Sequence, residues 1–168
     1  VAKLLLGTTY SEMGYNDKAM GIYMSALKQV EELGDKRVIG SSLINIGNMH
    51  YDKSDYKKAL NYYKRSLAVQ EEMGNQREIG YSLIGIGNVY KEIDSNKTLD
   101  YYNRSLAIFE ELGNKNGVGK ALLNIGTVYS KEGDYKKTLE YYERSLSIDE
   151  EVGNKRGMGT VLNNTANL

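Results

Sequence analysis

The stretch of this chain that looks most like a chemical site is Gly113-Asn114-Lys115-Asn116-Gly117-Val118-Gly119-Lys120-Ala121. Glycines followed by a lysine suggest a loop whose backbone N–H groups cradle a phosphate. Such a loop needs two glycines five apart, then Lys, then Ser or Thr to hold magnesium. Here Gly113 and Gly119 are six apart and Ala121 has no hydroxyl. The segment also follows a helical pattern rather than a strand, so it reads as a join between helices. His50 is the single histidine and cysteine is absent. Thiolate catalysis, disulfides, cysteine–zinc sites and two-histidine chemistry are therefore excluded. Asp52, Asp55 and Asp94 lack the alternating oxygen ligands and central glycine of a calcium loop. The paired acids Glu31-Glu32, Glu71-Glu72, Glu110-Glu111 and Glu150-Glu151 resemble a repeated carboxylate motif. Basic residues follow each pair within a few positions, so the expectation is charge pairing across the helix joins, weak where exposed. No enzyme activity, cofactor or metal is expected.

The elements that position these residues are set by composition and repetition. The 168 residues carry 22 Lys+Arg against 22 Asp+Glu, a net charge of zero. That balance argues against nucleic acid or an anionic membrane as partner, since both favour a basic surplus. There is no proline, where about eight would be average for this length. Long uninterrupted helices are therefore easy to build. Tyrosine is used 15 times against one Phe and no Trp, which suggests one aromatic position copied repeatedly. Leu4-Leu5-Leu6 is the best apolar run near the start, far short of a signal or spanning segment. With no initiator Met, the chain reads as a piece of a longer protein, expected in the cytoplasm.

Internal repeats are plain. ELGDKRVIG, EMGNQREIG, ELGNKNGVG and EVGNKRGMG start at Glu32, Glu72, Glu111 and Glu151, with steps of 40, 39 and 40. A second theme places a glycine at Gly7, Gly47, Gly87 and Gly126, with Ala166 in the fifth copy. A third reads YKKALNYYKRSL, KTLDYYNRSL and YKKTLEYYERSL, with DKAMGIYMSAL as the first copy. The short step is a deletion near Glu92-Ile93-Asp94-Ser95-Asn96. Each repeat holds two helical faces. Ile39, Leu43, Ile46, Gly47 and His50 share one, and Ala59, Leu60, Tyr63, Ser66, Leu67 and Gln70 share the other. Gly34, Gly74, Gly113 and Gly153 suit the left-handed residue that ends a helix, and the Asp or Asn after each suits the next N-cap. No segment alternates long enough for a strand. The pattern predicts nine helices in about 4.5 repeats, with later spans at 36–52, 56–73, 76–93, 97–112, 115–132, 136–152 and 155–168. The repeats run 1–34, 35–74, 75–113, 114–153 and a half repeat at 154–168. One hairpin buries too little by itself, and stacking hairpins buries a continuous core.

These motifs resemble the tetratricopeptide repeat over essentially the whole chain. The second repeat offers Leu43, Ile46-Gly47, His50, Ala59, Tyr63 and Ser66 for the family pattern. The third offers Leu83, Ile86-Gly87, Tyr90, Thr98, Tyr102 and Ser105. The fourth offers Leu122, Ile125-Gly126, Tyr129, Thr138, Tyr142 and Ser145. The proline that ends the family's second helix is missing, and the unit is about 40 residues rather than 34. In this it is similar to the subgroup in Leu-Gly-Asn cell-polarity adaptors and bacterial signalling proteins. The resemblance implies an all-α, right-handed superhelical solenoid whose first helices line a concave groove.

By the family's register the groove positions are Ser41, Ile44, Asn48, Tyr51 and Asp52, then Tyr81, Ile84, Asn88, Lys91 and Glu92, then Lys120, Leu123, Thr127, Ser130 and Lys131. The end copies add Leu4, Thr8, Ser11 and Glu12, then Thr160, Asn163 and Asn167. Asn48, Asn88 and Asn167 recur one residue after the motif position. An amide both donates and accepts, so a ladder of them can hold a peptide backbone without reading its sequence. Asn48 and Asn88 lie off the core stripe and are expected to matter little to the fold. Ile44, Ile84 and Leu123 form an adjacent apolar stripe, either a binding surface or the inner edge of the core. The few basic residues, Lys91, Lys120 and Lys131, lie among Asp52 and Glu92, which argues against a clamp for a C-terminal carboxylate. The expected function is a non-enzymatic scaffold that holds a peptide segment of a partner protein in the groove. The alternative is a sensory or autoinhibitory module of a larger bacterial signalling protein. Weak self-association through the ends is also expected, because Leu4, Leu5 and Leu6 begin the array without a polar cap.

Overall fold

The computed structural model describes residues 2–168, apart from the side chains of Ala2 and Leu4, so the groove expectation at Leu4 lies outside the described residues. Among the described residues there are nine α-helices and no strand. They are α1 Ala2–Glu12, α2 Asn16–Leu33, α3 Lys36–Asp52, α4 Tyr56–Met73, α5 Gln76–Ile93, α6 Thr98–Glu111, α7 Lys115–Glu132, α8 Tyr135–Val152 and α9 Lys155–Ala166. A single 3-10 turn, Ser95–Lys97, leads into α6 where the repeat is one residue short. The chain is thus all-α and built of stacked helical hairpins, in two compact units, Val1–Val89 and Tyr90–Leu168.

The helix ends are written in the sequence. Gly34, Gly74, Gly113, Gly133 and Gly153 take φ of 69°, 64°, 60°, 77° and 69°, where a side chain would clash with its own backbone. Asp35, Asn114 and Asn154 then accept backbone N–H bonds at the starts of α3, α7 and α9. Asp55 and Asp134 do the same for α4 and α8. Repeat two lacks the glycine between its helices. Ser54 stands there at φ 58°, the one non-glycine residue with positive φ among those described.

In the first unit, α2 packs between α1 and α3, and α3 pairs with α4. Ala19, Tyr23 and Leu27 from α2 meet Leu43, Ile46 and Met49 from α3, with Tyr10, Ile39, Tyr62 and Val69 closing around them. Burying each such large aliphatic chain contributes about 1.5–3 kcal/mol. The motif glycine is required by ring contact. A Cβ on Gly47 would lie 2.7 Å from the Tyr63 ring, and one on Gly7 2.6 Å from Tyr23. In the second unit α6 packs on α7, α7 on α8, and α9 on both. Tyr102, Phe109, Leu122, Ile125, Tyr142 and Val161 are its buried core, and Gly126 lies under the Tyr142 ring as Gly47 lies under Tyr63.

In repeats two to four the tyrosine just before the core tyrosine stacks on an aromatic of the first helix. Tyr101 stacks on Tyr90 at 5.2 Å and Tyr141 on Tyr129 at 5.5 Å, while His50 takes the tyrosine's place against Tyr62 at 5.3 Å. Arg65, Arg104 and Arg144 cover the outer rings.

Candidate functional site

The residues expected to line the groove in the second repeat lie on one stripe of α3. Asn48 and Asp52 are exposed, and Ser41, Ile44 and Tyr51 are half-buried. The Ser41 hydroxyl donates to the Arg37 carbonyl of its own helix at 3.2 Å. Tyr51 meets Tyr56 ring to ring at 5.6 Å. On α5, Tyr81 lies under the Arg77 guanidinium, Asn88 is half-buried, and Ile84 is 4% exposed. Ile84 is therefore core, which decides the apolar stripe at that position. On α1, Thr8 and Glu12 are exposed and Ser11 is half-buried.

Asn48 departs from the sequence expectation. The buried Tyr63 hydroxyl donates to its Oδ1 at 2.7 Å. The same pairing recurs at the matching positions, Tyr23 to Thr8 at 3.2 Å and Tyr142 with Thr127 at 3.4 Å. The residue after the motif glycine thus receives the core tyrosine's proton. Removing it strands a buried hydroxyl, at a cost of about 1–3 kcal/mol. Asn48 is exposed and yet belongs to the fold. The signal was present in the sequence: all three pairs are 15 residues apart. Burial pushes the Tyr63 phenol far above its ordinary range, helped by the charge of Asp52, so it keeps its proton.

In the second unit the expected positions cluster differently. Lys91 and Lys131 flank Glu92, with their Nζ atoms 3.7 and 3.8 Å from its Oε1. Burial holds the Lys91 ammonium below the ordinary lysine range, against the pull of Glu92. Lys120 is lowered too, first by the protein packed round its ammonium and then by Arg156, although the residue as a whole is exposed. Leu123, Thr127 and Ser130 are half-buried on the same helix, α7. On α9, Thr160 and Asn163 are exposed, and the Asn167 amide donates to the Asn163 carbonyl at 2.7 Å. Asn167 is the C-cap of α9, so its amide is spent on the helix end.

The motifs that looked chemical are structural. Gly113 ends α6 and Asn114 caps α7. Gly117 lies under the Phe109 ring, where a Cβ would be 2.3 Å away. Among the described residues, the paired acids bond to other basic residues than those that follow them. Glu72 bonds Lys36 at 2.8 Å, and Glu151 bonds Lys115, each joining the two ends of one hairpin. Glu31 reaches Arg65 and Glu110 reaches Arg144, on the second helix of the next repeat. An antiparallel hairpin brings the start of its first helix beside the end of its second, which a reading along the chain does not see. No described helix is long and apolar enough to cross a membrane.

Known proteins bear this architecture. No curated protein matches the chain. Aspartyl phosphate phosphatase F from Bacillus subtilis superposes with a TM-score of 0.84 at 17% identity, over 95% of this chain and 42% of that one. A signal transduction ATPase with numerous domains and a tetratricopeptide repeat sensor, from Pyrococcus horikoshii, gives 0.77 at 21%, over 95% and 25%. A Rap protein complexed with competence and sporulation factor gives 0.72 at 20%, over 98% and 50%. This chain spans half or less of each of these three. The tetratricopeptide repeat sequence profile matches residues 1–72, 41–111 and 78–151. With that profile covering most of its length, and with the helical hairpins described above, the chain belongs to the tetratricopeptide repeat family.

Proposed function

We propose that this chain is a protein-interaction module that holds a peptide segment of a partner against the first helices of its repeats. The observation that carries the reading is the α3 stripe. Ser41, Ile44, Asn48, Tyr51 and Asp52 combine apolar, aromatic, amide and acidic groups on one face that remains at the surface. Such a mixture suits an extended peptide, with apolar contact for area and polar groups for register. Supporting it, one of the structurally similar proteins is a Rap protein complexed with competence and sporulation factor. The test is selection of a 12-residue peptide from a random library on the whole chain, followed by titration calorimetry. Asp52→Ala and Tyr51→Ala should weaken the selected peptide several-fold with the fold intact. Failure to select any peptide, or native affinity in both variants, rejects this face.

A second reading is a sensory or autoinhibitory module within a larger signalling protein. It is favoured by the likeness to a signal transduction ATPase with a tetratricopeptide repeat sensor, of which this chain spans a quarter. The sequence flanking these residues in the parent gene decides it: an output domain supports this reading, and its absence removes it. Weak association through the first hairpin is also proposed, on the exposure of Leu5 and Leu6. Leu5→Lys should reduce it in sedimentation, and a strict monomer at high concentration would refute it.

A further inference from the structure

We infer that Tyr63 is a positioning residue for the peptide face: its hydroxyl holds Asn48 with the amide oxygen inward, so this position offers only N–H donors and recognises a peptide carbonyl oxygen rather than a peptide N–H. The inference rests on the peptide reading above and specifies what that face reads.

Tyr63 cannot move to suit a ligand. It is 1% exposed, and its ring lies against the backbone of Gly47 on one helix and Gly85 on another, each with room for no Cβ. Its hydroxyl proton has one acceptor among the described residues, Asn48 Oδ1 at 2.7 Å. Burial keeps that proton on the phenol at any ordinary pH. If the Asn48 amide turned over, the N–H₂ would face the hydroxyl and the phenolic proton would be stranded in the core. The amide is therefore fixed by the fold, and its two N–H groups point away from Tyr63 on an exposed residue.

The fourth repeat supplies the contrast. Thr127 stands at the same position and meets Tyr142 Oη at 3.4 Å, but its hydroxyl donates to the Leu123 carbonyl of its own helix at 2.9 Å. Its single proton is spent. Thr127 completes the core as Asn48 does and has no donor left for a ligand. Of these two, only Asn48 carries donors in excess of what the fold uses. The amide ladder expected from sequence, able to give and to take, is here a donor with one polarity.

The test has two arms. Side-chain ¹⁵N relaxation on the whole chain reads the anchoring directly. The Asn48 amide should be as rigid as backbone in the native protein and mobile in Tyr63→Phe, which keeps the ring. The second arm uses the library-selected 12-residue peptide, scanned by ester-for-amide replacement and by N-methylation. An ester weakens the preceding carbonyl as an acceptor and removes one N–H, whereas N-methylation removes the N–H and keeps the carbonyl. One ester position should cost several-fold on the native chain and nothing on Asn48→Thr or Asn48→Asp, both of which keep an acceptor for Tyr63 and lose the amide donors. Those two variants should bind the unmodified peptide about tenfold more weakly, one partly buried hydrogen bond, with an unchanged melting midpoint. Tyr63→Phe should bind it several-fold more weakly with the ester penalty blunted. Native-like affinity in Asn48→Thr, or an N-methyl penalty that disappears in Asn48→Thr in place of the ester penalty, overturns the donor assignment. An equally rigid Asn48 amide in Tyr63→Phe overturns the positioning role alone. If no peptide can be selected, the peptide reading itself fails and the inference falls with it, whatever the relaxation shows.

Discussion

The first hairpin, α1–α2, and the second, α3–α4, are copies forty residues apart that solve the same packing problem with different means. Both place a glycine under a tyrosine, Gly7 under Tyr23 and Gly47 under Tyr63. Around that shared centre they diverge. Leu6 is 48% exposed and its counterpart Ile46 is 0%. The second hairpin is covered by α2, whereas a depression of about 420 Å³, lined by Leu6, Tyr10, Lys18 and Ile22, marks the flank of the first. Thr8, Tyr10, Gly14 and Tyr15 become Asn48, His50, Ser54 and Asp55. The comparison teaches that a column's burial belongs to its neighbour, while its side-chain chemistry belongs to the repeat.

The comparison breaks most visibly at the covered column. Ile46→Ala should cost about 2–5 kcal/mol. Leu6→Ala should cost under about 1 kcal/mol, because its apolar surface is already half in water. Urea midpoints measure both, and similar losses would mean that α2 is not what stabilises the second hairpin. Next is the tyrosine anchor. Asn48→Ala should lose about 1–3 kcal/mol, since the Tyr63 hydroxyl is left buried without an acceptor. Asn48→Thr should be near neutral, because the first hairpin uses Thr8 in that role. Equal thermal denaturation for alanine and threonine would remove the anchor.

The turn sharpens the contrast with the opposite sign. Ser54 occupies the left-handed region that Gly14 occupies at φ 80° in the first hairpin. Ser54→Gly should relieve a left-handed side chain worth about 1 kcal/mol. Part of that is offset by the greater freedom of glycine when unfolded. A lower denaturation midpoint for Ser54→Gly would show that no strain is held there.

The smallest expected difference is one of pH. His50 lies below its ordinary value of 6.5, first through burial, with Asp55 pulling it up and Lys58 and Lys53 pushing it down. A histidine depressed in the folded state binds fewer protons folded than unfolded, so its contribution is complete above pH 6.5 and is lost as pH falls through the lower folded value. His50→Tyr, the residue the first hairpin carries at Tyr10, should flatten stability over that window. Asp134, held below 3.8 by its bonds from Lys137, should still lose its contribution as pH falls below 4 in that variant, whereas Asp55, held down chiefly by Lys58, loses the smaller help of His50. A slope just below pH 6.5 that survives His50→Tyr would assign it to another group.

What sequence could supply here was whatever is local. α3, α4 and α7 run over the expected spans because each is bracketed by left-handed residues and starts at an Asp or Asn cap, and α5 does so after left-handed Gly74. The α6 start moved from 97 to Thr98, since the shortened join makes a 3-10 turn that periodicity does not encode. The site residues were less legible. Asn167 looked like a rung of a ladder and serves as a helix cap, because its position at a helix end outweighs its repeat register. Ile84, which could be groove lining or the inner edge of the core, is core. Asn48 looked dispensable, and its bond to Tyr63 emerges only once two helices are set side by side. The acid pairs found partners about 34 to 36 residues away, a distance set by hairpin closure.

One buried contact bears on how these hairpins would carry mechanical load. The Ser66 hydroxyl donates across its hairpin to the Gly40 carbonyl at 3.0 Å, and Ser145 does the same to Gly119 at 2.9 Å. Apolar surfaces slide over one another at little cost in energy, because one methyl contact replaces the next. A buried hydroxyl on a fixed carbonyl cannot slide, since a shift of a single helical turn strands the hydroxyl out of reach of water. Each serine therefore acts as a detent between its two helices. Pulled from its ends, such a hairpin should hold its register and then yield in one abrupt step, rather than creep.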